Sequence, residues 1–341
     1  MVFKRLLGSL GVGGPTVDTV LAPGAAAPGS TLAGQIRLTG GSGDFDVEHL
    51  ALELVARVET EDSGTGGDGH GGVVFDRFVV GGGFRLTAGA EHTVPFSVPL
   101  PWETPVTELY GQGLGVALGV RTELSVAGAR DKGDLDPLAV APLPAQEAVL
   151  EAFGRLGFGF RSADLEYGRI GGTGQRLPFY QEIELTPAPR YAHAVDEIEV
   201  TFLAAPDGME VILEAGRRHG HDALTRFTVA HEGLHHHDWN ALVDGWVRQL
   251  VEHRAAYGAH PAYDPAYDHG YDGGHDHGYE GGDRSGPGVG TAVAAGAAGL
   301  AVGVAGGLVA AEVVDEVGDF FEDDEDDEDD EEGEEGEEGE D

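Results

Sequence analysis

Five residues late in the chain have a spacing that could do chemistry. His231-Glu232-Gly233-Leu234-His235 fits the HExxH pattern, in which two histidines one helical turn apart hold Zn²⁺ and the glutamate activates a water. That mechanism needs a helix beneath the motif. Here the apolar run Leu224 to Ala230 reads as a strand, Gly233 sits at the centre, and Asp238 is placed to cap a helix that starts afterwards. Both histidines should therefore lie on a turn, and no third ligand stands at a recognisable spacing. Three readings follow: a zinc hydrolase, a Zn²⁺ or Ni²⁺ ion loosely held by His231, His235 and His237 together with His236, or a polar loop with no ligand. The missing helix weighs against the first.

Other fragments also resemble sites. Gly111, Gly113 and Gly115 suggest a phosphate-binding turn, but a strand follows them where such a turn needs a helix. Gly168 to Gly174 reads better as a hairpin loop. Serine, histidine and aspartate form no recognisable nucleophile arrangement, and with no cysteine in the chain there is no thiolate site and no disulfide. The sequence thus predicts a chain that is not an enzyme, with no cofactor and no catalytic residue.

The elements that would position such residues are mostly strands. Val17 to Leu21, Leu32 to Leu38, Val47 to Val58, Val73 to Val80, Phe84 to Thr87, His92 to Val98 and Val120 to Val126 are short, alternating and separated by Gly and Pro. Asp62 to Gly72 reads as a glycine-rich hairpin loop. Ala145 to Leu156 has helical spacing after Pro144. Strands return at Ala163 to Tyr167, Pro178 to Leu185, Glu197 to Ala204, Met209 to Ala215 and Leu224 to Ala230. In the closing helix, Trp239, Leu242, Val243, Trp246, Val247, Leu250 and Val251 fall on one face. Between the two series, Arg130, Asp131, Lys132, Gly133 and Asp134 form a charged run before Asp136-Pro137, which reads as a surface loop and interdomain hinge. The pattern is that of an all-β chain of two antiparallel sandwiches, over residues 1–134 and 135–254.

Thr122 to Pro144, with Ala129, Asp131-Lys132-Gly133-Asp134 and Asp136-Pro137, resembles the matching stretch of the bacterial sporulation-control proteins, an arrestin-like family. Phe3-Lys4-Arg5-Leu6-Leu7, Val17-Asp18-Thr19, Leu21, Pro28-Gly29 and Gly34 are similar to that family's opening. Leu100-Pro101-Trp102-Glu103-Thr104-Pro105 is similar to its loop before the last strands of the first domain. The resemblance covers roughly residues 1–254. It implies two tandem arrestin-like sandwiches and a role in controlling sporulation, as a regulatory scaffold or adaptor that binds proteins.

Charge and the tail set the remaining bounds. The net charge of −41 excludes a nucleic-acid role. Residues 255–286, rich in His, Tyr, Asp and Gly, cannot build a core and read as a disordered linker that could chelate a metal weakly. Within 287–317, Gly299, Gly303 and Gly307 recur every four residues, a stripe suited to helix self-association or to membrane contact. Residues 318–341 form an acidic disordered tail. The expected location is cytoplasmic, at or anchored to the membrane if the striped segment inserts.

Overall fold

The computed structural model describes residues 13–61, 68–127, 132–215 and 223–258. Arg130, Asp131, the glycine stripe and the tail beyond Gly258 lie outside these, while residues 255–258, read from the sequence as the start of the linker, are instead the end of the closing helix. In the first domain, β1 (Thr16–Leu21), β2 (Thr31–Thr39) and β6 (Glu91–Pro99) form a three-stranded sheet in the order β1-β2-β6. It packs on a second sheet in which β3 (Phe45–Glu61) lies between β9 (Leu118–Val126) and the pair β4 (Asp68–Gly81) and β5 (Phe84–Leu86), while β10 (Lys132–Pro137) flanks β9. Period-two alternation buries Leu50, Leu52, Leu54, Ala56 and Val58 against Ile36, Leu38, Val120 and Leu124. The other face of β3 is covered too. Glu53 is buried there and held by Arg121, at 2.8 Å from Nε and 2.5 Å from Nη2, and by Arg77.

The second domain is a meander of β11 (Gly159–Tyr167), β12 (Phe179–Thr186), β13 (Ile198–Ala205), β14 (Gly208–Ala215) and β15 (Ala223–Ala230), each antiparallel to the next. The layer covering it comes from α1 (Pro144–Leu156) and α2 (Trp239–Gly258). Proline at the first position and the Gln146 side chain, which accepts from Leu143 N–H at 2.8 Å, start α1. Gly157, at φ +94°, ends it. Asp238 caps α2 as its sequence position suggests, accepting from Ala241 N–H at 3.1 Å. Val243, Trp246, Val247 and Leu250 are buried beneath the meander, with Trp246 stacked on Phe227.

Two expectations need correction. Residues 68–72, read as part of the Asp62 to Gly72 loop, open strand β4 instead, where pairing with β3 overrides the turn preference of their glycines. The charged run before Asp136-Pro137 reads as a loop, but Lys132–Pro137 is strand β10, with Gly133 opposite Glu123 and Asp134 opposite Thr122. Pairing with β9 supplies backbone bonds that outweigh the turn preference of Gly, Asp and Pro. Asp134 accepts from Thr19 N–H at 2.7 Å, so β10 also ties the second sheet to β1 of the first.

The two cores are interleaved. Val106 and Leu114, which precede β9, belong to the second core, and Trp102 and Leu109 pack on it. In return, Leu165 of β11, Leu177 of the loop before β12 and Phe179 of β12 belong to the first, where Phe179 meets Phe75 edge to face at 5.5 Å. The chain finally leaves the first core at Val140 and enters the second at Ala145. Interleaving predicts joint unfolding. Phe179→Ala should cost about 3–5 kcal/mol and shift a single denaturant transition read by both tryptophan fluorescence and circular dichroism; two separate transitions would contradict the coupling.

Candidate functional site

The residues joining the domains come from the segment between β6 and β9. Thr104 closes a turn there, donating from Oγ1 to Pro101 O at 2.7 Å. The turn aims Glu103 at the loop before β12, and its carboxylate accepts from Arg176 N–H at 2.8 Å and from Leu177 N–H at 2.9 Å. Beside it, Gln181 closes a two-way bond with the Val106 backbone: Val106 N–H donates to Oε1 at 2.9 Å, and Nε2 donates to Val106 O at 2.8 Å. Trp102 lies between Gly29 and His231. A Cβ on Gly29, whose φ is +70°, would run into the indole, and the His231 ring stacks on the other side at 5.4 Å. These contacts latch the domains together.

That geometry settles where the histidines go. His231 sits on a turn, not a helix, and its Nε2 lies 2.8 Å from Ala205 O. Leu234–His236 is one 3₁₀ turn, and His235 packs on His236 with ring centroids 3.8 Å apart. His237 packs on Trp239. The three candidate histidines therefore meet different neighbours, and Gly233, at φ +73°, breaks the helical turn that HExxH chemistry requires. Gly111 and Gly113 belong to a small hairpin of β7 (Glu108–Leu109) and β8 (Gln112–Gly113), with no helix after it.

Sequence reasoning misses a cluster of carboxylates on the meander. Alternation sends Ala163, Leu165, Ile183 and Leu185 into the two cores and Asp164, Glu166, Glu182 and Glu184 to the opposite face. Strand register then sets Asp164 directly opposite Glu182, and Glu199 opposite both Glu184 and Glu214. Glu59 joins them, because the bridge from β3 to β11 pairs Glu59 with Glu166. Like charges so placed destabilise a sheet unless protons or cations neutralise them. Burial first, then Glu199 and Asp164, pushes Glu182 up to about 9; burial first, then Glu59 and Glu166, pushes Asp164 up to about 7. Ligand oxygens of Asp164, Glu166 and Glu182 lie within 4.8 Å of one another, and Asp164 Oδ1 is buried with no hydrogen-bond partner. Three oxygen donors at that spacing have the character of a hard-cation or shared-proton site. The signal in the sequence is the alternating carboxylate of Asp164-Leu165-Glu166 and Glu182-Ile183-Glu184, but only register shows that these face each other.

A family model described as SpoOM protein matches residues 3–219. This chain belongs to the SpoOM family. It is 37% identical over 219 residues to the sporulation-control protein spo0M of Bacillus subtilis (strain 168), a match covering 63% of this chain and 81% of that one. The crystal structure of Spo0M from Bacillus subtilis superposes with a TM-score of 0.61 at 29% identity, covering 71% of this chain and all of that one. The fold is the arrestin-like tandem that the resemblance implied. Among the described residues, no helix is long and apolar enough to cross a membrane.

Two outcomes test the site. Glu103→Ala leaves two backbone N–H groups unpaired, so the amides of Arg176 and Leu177 should exchange faster, with a loss of ~1.5–3 kcal/mol; unchanged exchange would show that the latch does not depend on the carboxylate. Folding raises the Asp164 and Glu182 pKa values, so between about pH 4 and those values the folded state holds more protons than the unfolded chain. Stability should then fall as pH climbs through about 7 and about 9. Glu182→Gln should flatten that decline and raise the melting temperature at pH 8 by roughly 2–4 °C per kcal/mol recovered. A melting temperature that rises with pH in the wild type would contradict the assignment.

Proposed function

We propose that this chain is a non-enzymatic regulatory scaffold for sporulation control that works in the cytoplasm by binding other proteins. The observation that carries this reading is family membership together with 37% identity to a Bacillus subtilis sporulation-control protein. The latch supports a scaffold, because interleaved cores hold two sheets in one fixed arrangement. An apolar surface feature supports the binding role. Between α1 and the β7–β8 hairpin runs an apolar groove of about 450 Å³, lined by Leu109, Leu114, Leu150 and Phe158 and rimmed by the exposed Tyr110 and Phe160. Exposed aromatics of this kind anchor protein contacts.

Expression in Bacillus subtilis lacking its own Spo0M tests the reading. The wild-type chain should restore the normal count of heat-resistant spores. Tyr110→Ala with Phe160→Ser should lose that effect while leaving the melting temperature almost unchanged, because both side chains are exposed. Restoration by both forms would remove the groove from the proposal, and restoration by neither would remove the sporulation role.

A further inference from the structure

Strand β4 is an open edge with a charge built into it. Among the described residues it pairs with β3 alone, so its other row of backbone donors and acceptors has no strand beside it. The facing edge of the same sandwich, β6, carries Pro95 and Pro99, which cannot donate to an added strand. No proline or lysine in β4 turns one away.

Register shifts between Leu50 and Ala51 and between Leu54 and Val55 leave a regular stretch at the centre of β4, where Asp76, Arg77, Phe78 and Val79 face Leu54, Glu53, Leu52 and Ala51 in turn. Alternation puts Asp76 and Phe78 on the core side, with Leu54 and Leu52, and Arg77 and Val79 on the outer side. The two charges differ in their surroundings. Glu53 and Glu123 hold the Arg77 guanidinium, the latter at 2.6 Å. Asp76 accepts from the Arg77 backbone N–H at 2.8 Å, and among the described residues no cationic side chain is bonded to it. Burial pushes the Asp76 carboxyl above its ordinary range, against the pull of that hydrogen bond. Val79 is 68% exposed. Between β4 and β6 lies a groove of about 540 Å³, lined by Phe78, Val80, Phe96 and Val98.

We propose that this stretch of β4 takes an extended segment of a partner protein as an added antiparallel strand, one that reads apolar, apolar, polar, cationic. Its first residue covers Val79, its second sits beside Phe78 at the groove, its third faces the already satisfied Arg77, and its Lys or Arg faces Asp76. Residues opposite each other in an antiparallel pair share a face, so the cation and the second apolar residue both fall on the core side, where Asp76 and Phe78 await them. Main-chain bonds hold such a strand and the alternate side chains select it. A second copy of β4 does not fit. With Asp76 and Arg77 on different sides, an antiparallel two-fold pairing sets Arg77 against Arg77 and gives Asp76 no cation. The surface is separate from the groove beside α1, and each can fail without the other.

The test uses the full chain and a fluorescently labelled synthetic peptide, Thr-Val-Val-Thr-Arg-Thr, read by anisotropy. The peptide should bind saturably. Asp76→Asn should weaken it roughly 5-fold without lowering the melting temperature, because asparagine keeps the acceptor and removes a partly buried charge. A peptide with Glu in place of Arg should bind more weakly still, and Tyr110→Ala with Phe160→Ser should bind as the wild type does. The natural chain has no cysteine, so introduced ones report without background. Val79→Cys should form a disulfide with a peptide carrying cysteine at its first valine, because opposed Cα atoms lie ~4.5–5.5 Å apart, within the ~4.4–6.8 Å that a disulfide spans. Val74→Cys, five residues away, should not. A peptide that fails to bind, a glutamate peptide that binds equally well, or equal cross-linking at both positions would overturn the proposal. Phe3-Lys4-Arg5-Leu6-Leu7 also sets cations beside apolar residues. Arg5→Glu raising the peptide's affinity would therefore assign the edge to the chain's own segment, and a dimer that the peptide dissociates would assign it to a second copy; either result overturns the proposal.

Discussion

Phe179 opens the second strand of the meander and yet is buried in the first core against Phe75, while Trp102 and Val106, from the first half of the chain, pack on the second core. The rest of the structure depends on this exchange. Neither core is complete without residues from the other half, so apolar packing and the polar latch hold the same seam. Glu103 and Gln181 satisfy backbone groups that the exchange brings together. Their contribution is to fix the seam's angle and register, since hydrogen bonds formed at an apolar contact add direction more than bulk stability.

The acidic face shows what that rigidity has to carry. Packing Leu165 into the first core and Ile183 into the second forces Asp164, Glu166 and Glu182 onto the other side of the same strands, and the bridge at Glu59 adds another carboxylate. The carboxylates repel, and burial prevents water from screening them fully. A proton is the cheapest remedy, which is why the pKa values of Glu182 and Asp164 rise. Apolar packing wins at the seam and the electrostatics adjust to it. The same order of effects holds at β10, where burial and the neighbouring Asp134 push Asp136 up to about 7 without preventing the strand from forming.

Much of the strand pattern was legible because alternation of two residues is a local property. Leu50 to Val58 and Leu32 to Leu38 could be placed on core faces from spacing alone, as could the apolar stripe of α2 and its Asp238 cap. What stayed hidden depends on partners distant in sequence. Asp134 reads as a loop residue until β9 is seen beside it, and Glu53 reads as a solvent-facing residue until Arg77 and Arg121 close over it. Trp102 and Glu103 stood out only through family resemblance, because nothing in their own spacing shows that they reach Gly29, Arg176 and His231. The carboxylate cluster was missed for the same reason: each acid looks like an ordinary surface residue, and strand register makes them neighbours.

The histidine turn shows how a motif loses its chemistry when its scaffold changes. The His231–Glu232–Gly233–Leu234–His235 spacing is correct for zinc only on a helix, where residues four apart share a face. Gly233 in the left-handed region bends the chain instead, freeing His231 to stack on Trp102 and sending His235 against His236. The family model ends at residue 219, before this turn. What the turn's residues do follows from their contacts: His231 packs against the tryptophan that links the domains and bonds Ala205 O, closing the turn over the end of β13. A sequence that looks like a metal centre is, in this fold, part of the latch.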